Sequence, residues 1–154
     1  MTELASVSEC ISPGPANWID EWRHNNAFFY ESPADARSVV PEAGASDYRL
    51  YAYRMLTESF GSYDDATSVD VNVTPAEIDD SFIFAGYDVV SRSYASNFEC
   101  SPLSCNEMGA EVPVNEYCLI DRLDEAIRFA QRCGEEQPEP GVYYVLEVWR
   151  GPAC

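Results

Sequence analysis

The chain has 154 residues, of which 46% are hydrophobic, and its 27 acidic residues against nine arginines give a formal net charge of −18. This length and composition suffice for one hydrophobic core that needs no metal or disulfide framework. The charge argues against direct binding to nucleic acid or anionic membranes, and the lack of any lysine excludes Schiff-base chemistry and a phosphate-loop lysine.

The amino-terminal region predicts neither a leader nor a membrane segment. It has no basic start followed by an apolar core, and no run approaches the roughly 18 apolar residues that span a bilayer. We therefore expect a cytoplasmic protein without membrane contact. Residues 1–16 lack periodicity and predict a loosely ordered arm, whereas residues 17–154 predict a single domain.

Two short helices open the predicted domain. Apolar residues at helical spacing after Asn17 predict a helix over residues 18–25. Residues 32–35 combine an N-cap serine, a first-turn proline and an acidic third position, so they predict a second helix that ends near Val40.

Three strands are predicted next. Residues 47–57 are tyrosine-rich and partly apolar on both faces. Residues 69–74 alternate valine with polar side chains, which predicts a strand with one face in solvent. Residues 82–90 form a long apolar run, which predicts a strand that is buried on much of both faces.

Gly86 interrupts the apolar run of the third predicted strand. A glycine at such a position indicates a bulge, a close backbone approach or a bend that wraps the sheet, and we favour the bend. A bulge beside a functional loop would re-aim side chains such as Asp88 and Arg92.

An irregular segment follows at residues 97–106, and it contains Cys100 and Cys105. Ser101 is placed to cap a short helix whose first residue is Pro102. Loops of defined conformation on a rigid scaffold are common sites of binding and catalysis, so this loop is the first candidate site. The candidate binding residues are Tyr94, Phe98, Glu99, Ser101 and Asp88.

The carboxyl-terminal part predicts a strand, a helix and a strand. Residues 116–120 are a short apolar segment, Asp121 and Gly134 are placed to cap and to end an amphipathic helix, and residues 142–149 are a last apolar strand. The three elements could make one βαβ crossover. We expect an α+β fold with a mostly antiparallel sheet of four to five strands and helices packed on one face.

Four cysteines lie in the carboxyl-terminal half, at positions 100, 105, 118 and 133. They could make a four-thiolate zinc site or a Cys100–Cys105 disulfide, but they lack paired Cys-x2-Cys spacing and a cytosolic setting disfavours the disulfide. We expect the four thiols to be reduced and no metal or other cofactor to be bound. His24 is the only histidine, which excludes a two-histidine zinc site.

The sequence is compatible with two functions. The one we favour is a non-catalytic binding or regulatory protein whose acidic, tyrosine-rich surface engages another protein, and the charge favours a basic partner. The alternative is a small thiol-dependent enzyme or ligand-binding protein that uses residues 100–106. In that case Cys100 would be the nucleophile, assisted by Arg92 or His24 and positioned by Asn106. The sequence does not indicate an oligomeric state.

Overall fold

The computed structural model describes residues 30, 32–38, 40, 48–62, 77–92, 98–105 and 107–153. The elements in chain order are α1 at Pro33–Ser38, β1 at Arg49–Phe60, β2 at Ile83–Arg92, β3 at Phe98–Cys100, α2 at Pro102–Cys105, a 3-10 helix at Glu107–Glu111, α3 at Leu123–Glu136 and β4 at Val142–Ala153. The predicted arm at 1–16, the helix at 18–25 and the strand at 69–74 lie outside the described residues.

All strand pairs in the sheet are antiparallel, and the strand order is β1-β4-β2-β3. β1, β2 and β4 are long, whereas β3 has three residues and, among the described residues, pairs with Ser91 and Arg92 at the end of β2. The prediction of four to five strands is therefore wrong, because the described sheet consists of three long strands with only a short segment along one edge. β4 is central, as its apolar content predicted.

Residues 116–120 are not the strand that their apolar pattern predicted. They form a turn, and only Ile120 pairs with the sheet, through a single antiparallel bridge to Tyr87. The predicted βαβ crossover therefore lacks its first strand. α3 instead follows directly from this bridge at the edge of β2.

Asn115 accounts for the turn. Its side-chain oxygen accepts hydrogen bonds from the backbone N–H of Tyr117 at 3.0 Å and from that of Leu119 at 3.2 Å. These N–H groups are then not available to a neighbouring strand. Cys118, between them, has a positive φ of 60°, which is uncommon for a residue other than glycine.

α1 and α2 begin at the residues that the sequence predicts, Pro33 and Pro102. At α1, the Ser32 hydroxyl accepts a hydrogen bond from the backbone N–H of Asp35 at 3.1 Å and donates one to the Asp35 carboxylate at 2.6 Å. α2 begins at Pro102, whose missing N–H costs nothing in a first turn. At the start of α2 the backbone oxygen of Ser101 accepts a hydrogen bond from the backbone N–H of Ser104 at 3.1 Å, and the Ser101 hydroxyl donates to Asp88.

α3 differs from its predicted bounds at both ends. Its N-cap is Arg122 rather than Asp121, and the helix continues past Gly134 until Gln137 closes it in the left-handed conformation. Gly134 lies within the helix because the end of β1 approaches it closely. A Cβ at this position would stand only 2.6 Å from the backbone nitrogen of Gly61. The glycine permits close packing and does not end the helix.

α3 packs on one face of the sheet around Val89, Tyr143 and Val145, a region called here the helix-covered half. The α3 residues buried against it are Ala126, Phe129, Ala130 and Cys133. These side chains form the main hydrophobic core. Within the described ranges, no helix combines the length and apolar character that crossing a bilayer requires.

Candidate functional site

A bulge at Ala85 and Gly86 determines which side chains of β2 share a face. The pairing with β4 shifts between Phe84 and Gly86, so that Ala85 is the extra residue. Gly86 has a φ of 140°, which only glycine adopts readily, and a Cβ there would stand 2.8 Å from the Cβ of Leu119. The structure therefore has the bulge at Gly86, whereas the sequence favours a bend.

The bulge places Phe84 and Tyr87 on the same face although they are three positions apart. Phe84 pairs with Trp149 and Tyr87 pairs with Glu147, and alternate residues of β4 share a face. The next residue, Asp88, projects from the opposite face. β2 thus presents aromatic rings on one side of the sheet and a carboxylate on the other.

Asp88 and Ser101, two of the predicted binding residues, meet in the protein interior. The Ser101 hydroxyl donates a hydrogen bond to Asp88 Oδ1 at 2.5 Å, and the backbone N–H of Val89 donates to the same oxygen at 2.9 Å. Asp88 and Ser101 are both fully buried. Their contact ties the start of α2 to β2 and leaves neither side chain a surface for a partner.

The buried carboxylate of Asp88 influences two neighbouring groups. Burial, and to a smaller extent the negative charge of Asp88, raise the pKa of Tyr53 and the pKa of Cys118. The Cys118 thiol also donates to the backbone oxygen of Leu103, with Sγ and O 3.4 Å apart. A thiol held protonated in this way is a poor nucleophile.

Cys133 and Cys118 are free thiols. Cys133 is fully buried under α3, and burial raises its pKa to about 12. The prediction that Cys133 is a buried thiol on α3 is confirmed. No group of three or more histidine, cysteine or acidic side chains that could hold a metal ion is found among the described residues.

The predicted catalytic set is described only in part. Arg92 is half-buried at the end of β2, and the backbone of Cys100 pairs with Ser91 in the edge strand β3. Phe98 and Glu99 belong to the same edge strand. The nucleophile at Cys100 stays a prediction, because His24 and Asn106 lie outside the described residues. Tyr94, one of the predicted binding residues, lies outside them as well.

Three aromatic side chains form a second, more accessible candidate site. The ring of Phe84 meets Tyr87 edge to face with 4.9 Å between centroids, and it meets Trp149 in the same way at 5.2 Å. Phe84 is 37% exposed, and the other two rings are half-buried. These three residues are called the aromatic cluster below.

Glu147 and Arg54 form a cross-strand pair beside the aromatic cluster. Glu147 Oε2 lies 3.2 Å from Nη1 of Arg54 and accepts a hydrogen bond from the indole N–H of Trp149 at 3.3 Å. The guanidinium carbon of Arg54 stands 5.7 Å from the centroid of the Trp149 ring. One cation therefore contacts a carboxylate and an aromatic ring together, which is the geometry of a cation–π site.

The carboxylate of this pair is better shielded from water than its cation. The side chain of Glu147 is 19% exposed, whereas that of Arg54 is 50% exposed. Burial and the charge of Glu147 raise the pKa of Tyr87, because ionisation would place a second negative charge nearby. A cation brought to Glu147 would thus be bound more strongly than one paired in open water.

No member of the aromatic cluster is among the predicted site residues. Phe84, Tyr87 and Trp149 become neighbours only through the register of β2 with β4 and through the extra residue at the bulge. Gly86 is the one signal in the sequence that bears on this arrangement. A bulge at Gly86 is expected to re-aim Asp88 and Arg92. In the structure it also brings Phe84 to the same face as Tyr87.

A shallow cleft lies between β1 and α3. Its volume is about 170 Å³. The lining residues are Leu56, Thr57, Glu58, Phe60, Ile127 and Val145. Sites for drug-sized ligands have volumes of roughly 300 to 1,000 Å³, so this cleft is too small for such a ligand.

In comparisons with known proteins, no family model, no curated protein and no solved structure matches the chain. The grounds for a function are therefore the geometry of the aromatic cluster and the charge of the whole chain.

Proposed function

We propose that this protein is a non-catalytic binding protein that engages another protein, and that its partner is basic. The observation that carries the proposal is the aromatic cluster, where partly exposed rings stand beside a carboxylate on a chain of net charge −18. Aromatic side chains are enriched at the energetic centres of protein interfaces. Charge complementarity guides the correct partner to such a centre and excludes others.

Charge and aromatic rings would contribute to binding in different ways. An excess of carboxylates accelerates association with a basic partner, and salt weakens this effect. The rings supply contact area whose contribution depends little on salt. Binding that falls with salt but keeps a residual affinity is therefore the expected behaviour.

The alternative function, a thiol-dependent enzyme or ligand-binding protein that uses residues 100–106, receives no support from the described residues. Burial raises the pKa of the Cys118 and Cys133 thiols, neither of which is the predicted nucleophile, and the role of Cys100 stays a prediction. The cleft beside α3 is too small for a drug-sized ligand. A cytosolic location belongs to the proposal and agrees with free thiols, because oxidising compartments favour disulfides.

Affinity capture at two salt concentrations tests the proposal. Immobilised protein is incubated with a lysate of the source organism, and the proteins retained are identified by mass spectrometry. We expect a small number of basic proteins that are retained at about 0.1 M salt and largely released at about 1 M, since the Debye length falls from about 10 Å to about 3 Å.

An unrelated protein of similar size and net charge is the control, because any acidic surface retains some basic proteins by ion exchange. Retention of the same proteins by both baits would contradict the proposal. Acidic or neutral partners that are indifferent to salt would contradict it as well. A small molecule that copurifies with the protein, without any protein partner, would favour the ligand-binding alternative.

A further inference from the structure

We infer that the aromatic cluster and Glu147 bind an arginine side chain of the partner in the place that Arg54 occupies in the free protein. This site rests on the proposed function and would be its central contact. The protein's own arginine already shows how a guanidinium fits between the carboxylate and the indole ring of Trp149.

The site offers one cation both an acceptor and a ring. Glu147 Oε2 lies 3.2 Å from the guanidinium of Arg54, and the ring centroid of Trp149 lies 5.7 Å from its carbon, within the roughly 6 Å over which cation–π attraction acts. The hydrogen bond from the Trp149 indole to Glu147 holds ring and carboxylate in a fixed relation. Phe84, from β2 on the other side of β4 from Arg54, contacts the indole ring edge to face. The receptor groups are thus held in place before a partner arrives.

Arg54 can leave this place at little cost. Its side chain is half-exposed, and exposed ion pairs contribute little to stability because water competes for both charges. A guanidinium from the partner would restore the contacts to Glu147 and Trp149, while Arg54 turned into solvent. The exchange would also cover Phe84, whose exposed ring is otherwise in water.

Arginine suits the site better than lysine. A guanidinium is planar, stacks on aromatic rings and presents several N–H donors to one carboxylate. An ammonium group is more strongly hydrated and must give up more water to enter a site that is partly shielded. We therefore expect selection between two cations of equal charge, which general electrostatic attraction would not provide.

Two synthetic peptides of equal length and charge test the site, one with arginine alternating with glycine and one with lysine alternating with glycine. Their affinities are measured by isothermal titration calorimetry at about 0.1 M salt. We expect the arginine peptide to bind at least about threefold more tightly. The NMR signal of the Trp149 indole N–H, assigned with Trp149→Phe, should shift when it binds.

Three variants separate this site from general attraction to an acidic protein. Glu147→Gln removes the charge of the acceptor and should weaken binding of the arginine peptide by about tenfold. Arg54→Gln removes the internal competitor and should strengthen binding severalfold. Glu135→Gln removes an equal charge from the exposed surface of α3 and should change the affinity by less than about twofold.

Tighter binding by Arg54→Gln than by Arg128→Gln, which removes an equal charge from the exposed surface of α3, is the decisive result, because general attraction to an acidic protein would strengthen both alike and a variant damaged in folding would lose affinity. Unchanged or weaker binding by a folded Arg54→Gln would overturn the inference. Equal binding of the two peptides, with Glu147→Gln no different from Glu135→Gln, would overturn the arginine site and leave the proposed function standing. Failure of both peptides to bind at low salt would show that the protein does not bind basic ligands, and it would overturn both the arginine site and the proposed function.

Discussion

The two halves of one sheet face are built differently. In the helix-covered half, Val89 and Val145 lie under α3 and are almost inaccessible to water. Two positions further along each strand, Tyr87 and Glu147 begin the other half, called here the aromatic half, where Phe84 remains 37% exposed. The same pair of strands thus contributes to the core at one end and, in our proposal, to a binding surface at the other.

The side chains over the two halves differ in size for a physical reason. Small residues such as Ala126, Ala130 and Gly134 let the backbone of α3 approach the sheet closely. In the aromatic half, large rings cover the strands themselves and pack against one another edge to face. Both halves are apolar, so apolar content does not distinguish core from surface here. The difference is that α3 covers one half and not the other.

Truncating one phenylalanine in each half gives the largest expected difference. Phe129→Ala removes a ring that is 4% exposed beneath α3, and it should lower the free energy of unfolding by about 3–5 kcal/mol. Phe84→Ala removes a ring that is already partly in water, and it should cost roughly 1–2 kcal/mol. Urea unfolding followed by circular dichroism measures both. Equal losses would show that the aromatic half belongs to the core.

Gly134→Ala tests how closely α3 lies on β1. Helix propensity alone predicts a gain of up to about 1 kcal/mol. The added methyl, however, would stand 2.6 Å from the backbone nitrogen of Gly61 and 2.9 Å from the carbonyl carbon of Phe60. We therefore expect a net loss of about 1–3 kcal/mol in the free energy of unfolding.

The matched control for this change is Glu135→Ala, at the next and exposed position of α3, with an expected change within about 0.5 kcal/mol. Both variants are compared in the same urea titration. If Gly134→Ala stabilised the protein as propensity predicts, the close contact between α3 and the end of β1 would not exist in solution.

The smallest expected effect concerns Ser91, which is fully buried in the helix-covered half. Its hydroxyl oxygen has no hydrogen-bond partner in the part of the chain that the structure describes. Because an unpaired hydroxyl is costly to bury, Ser91→Ala should raise the free energy of unfolding by up to about 1 kcal/mol. Thermal unfolding measures the gain, with the exposed Ser59→Ala as a control. A loss of stability would mean that the hydroxyl has a partner.

Elements whose ends depend on local chemistry were predictable from the sequence. The Ser-Pro pairs that begin α1 and α2 satisfy first-turn requirements, and the apolar runs of β2 and β4 are typical of well-covered strands. The turn at 116–120 was not predictable from its apolar pattern, because Asn115 directs it through hydrogen bonds to the backbone. Gly134 has the sequence pattern of a helix end, but the residue that requires a glycine there, Gly61, lies far away in the sequence.

The candidate site was predictable in smaller part. The pattern around Ser101 correctly predicted a short helix that begins at Pro102, but the contact of Ser101 with Asp88 serves packing. The aromatic cluster joins side chains from two strands, and their meeting depends on register, which hydrophobic pattern alone does not specify at this bulge. The contact between Arg54 and Trp149 depends on the pairing of β1 with β4, which no local sequence pattern specifies.

The extra residue at Ala85 and Gly86 also has an evolutionary consequence. If Ala85 were deleted, Phe84 would lie two positions before Tyr87, and both rings would stay on one face by ordinary alternation without a bulge. A side chain at position 86 would instead oppose the glycine conformation of the bulge, and regular pairing would then turn Phe84, three positions before Tyr87, to the opposite face. A descendant with that substitution would retain the helix-covered half and lose the aromatic cluster, so the glycine at this position would separate lineages that keep the proposed arginine site from lineages that keep only the fold.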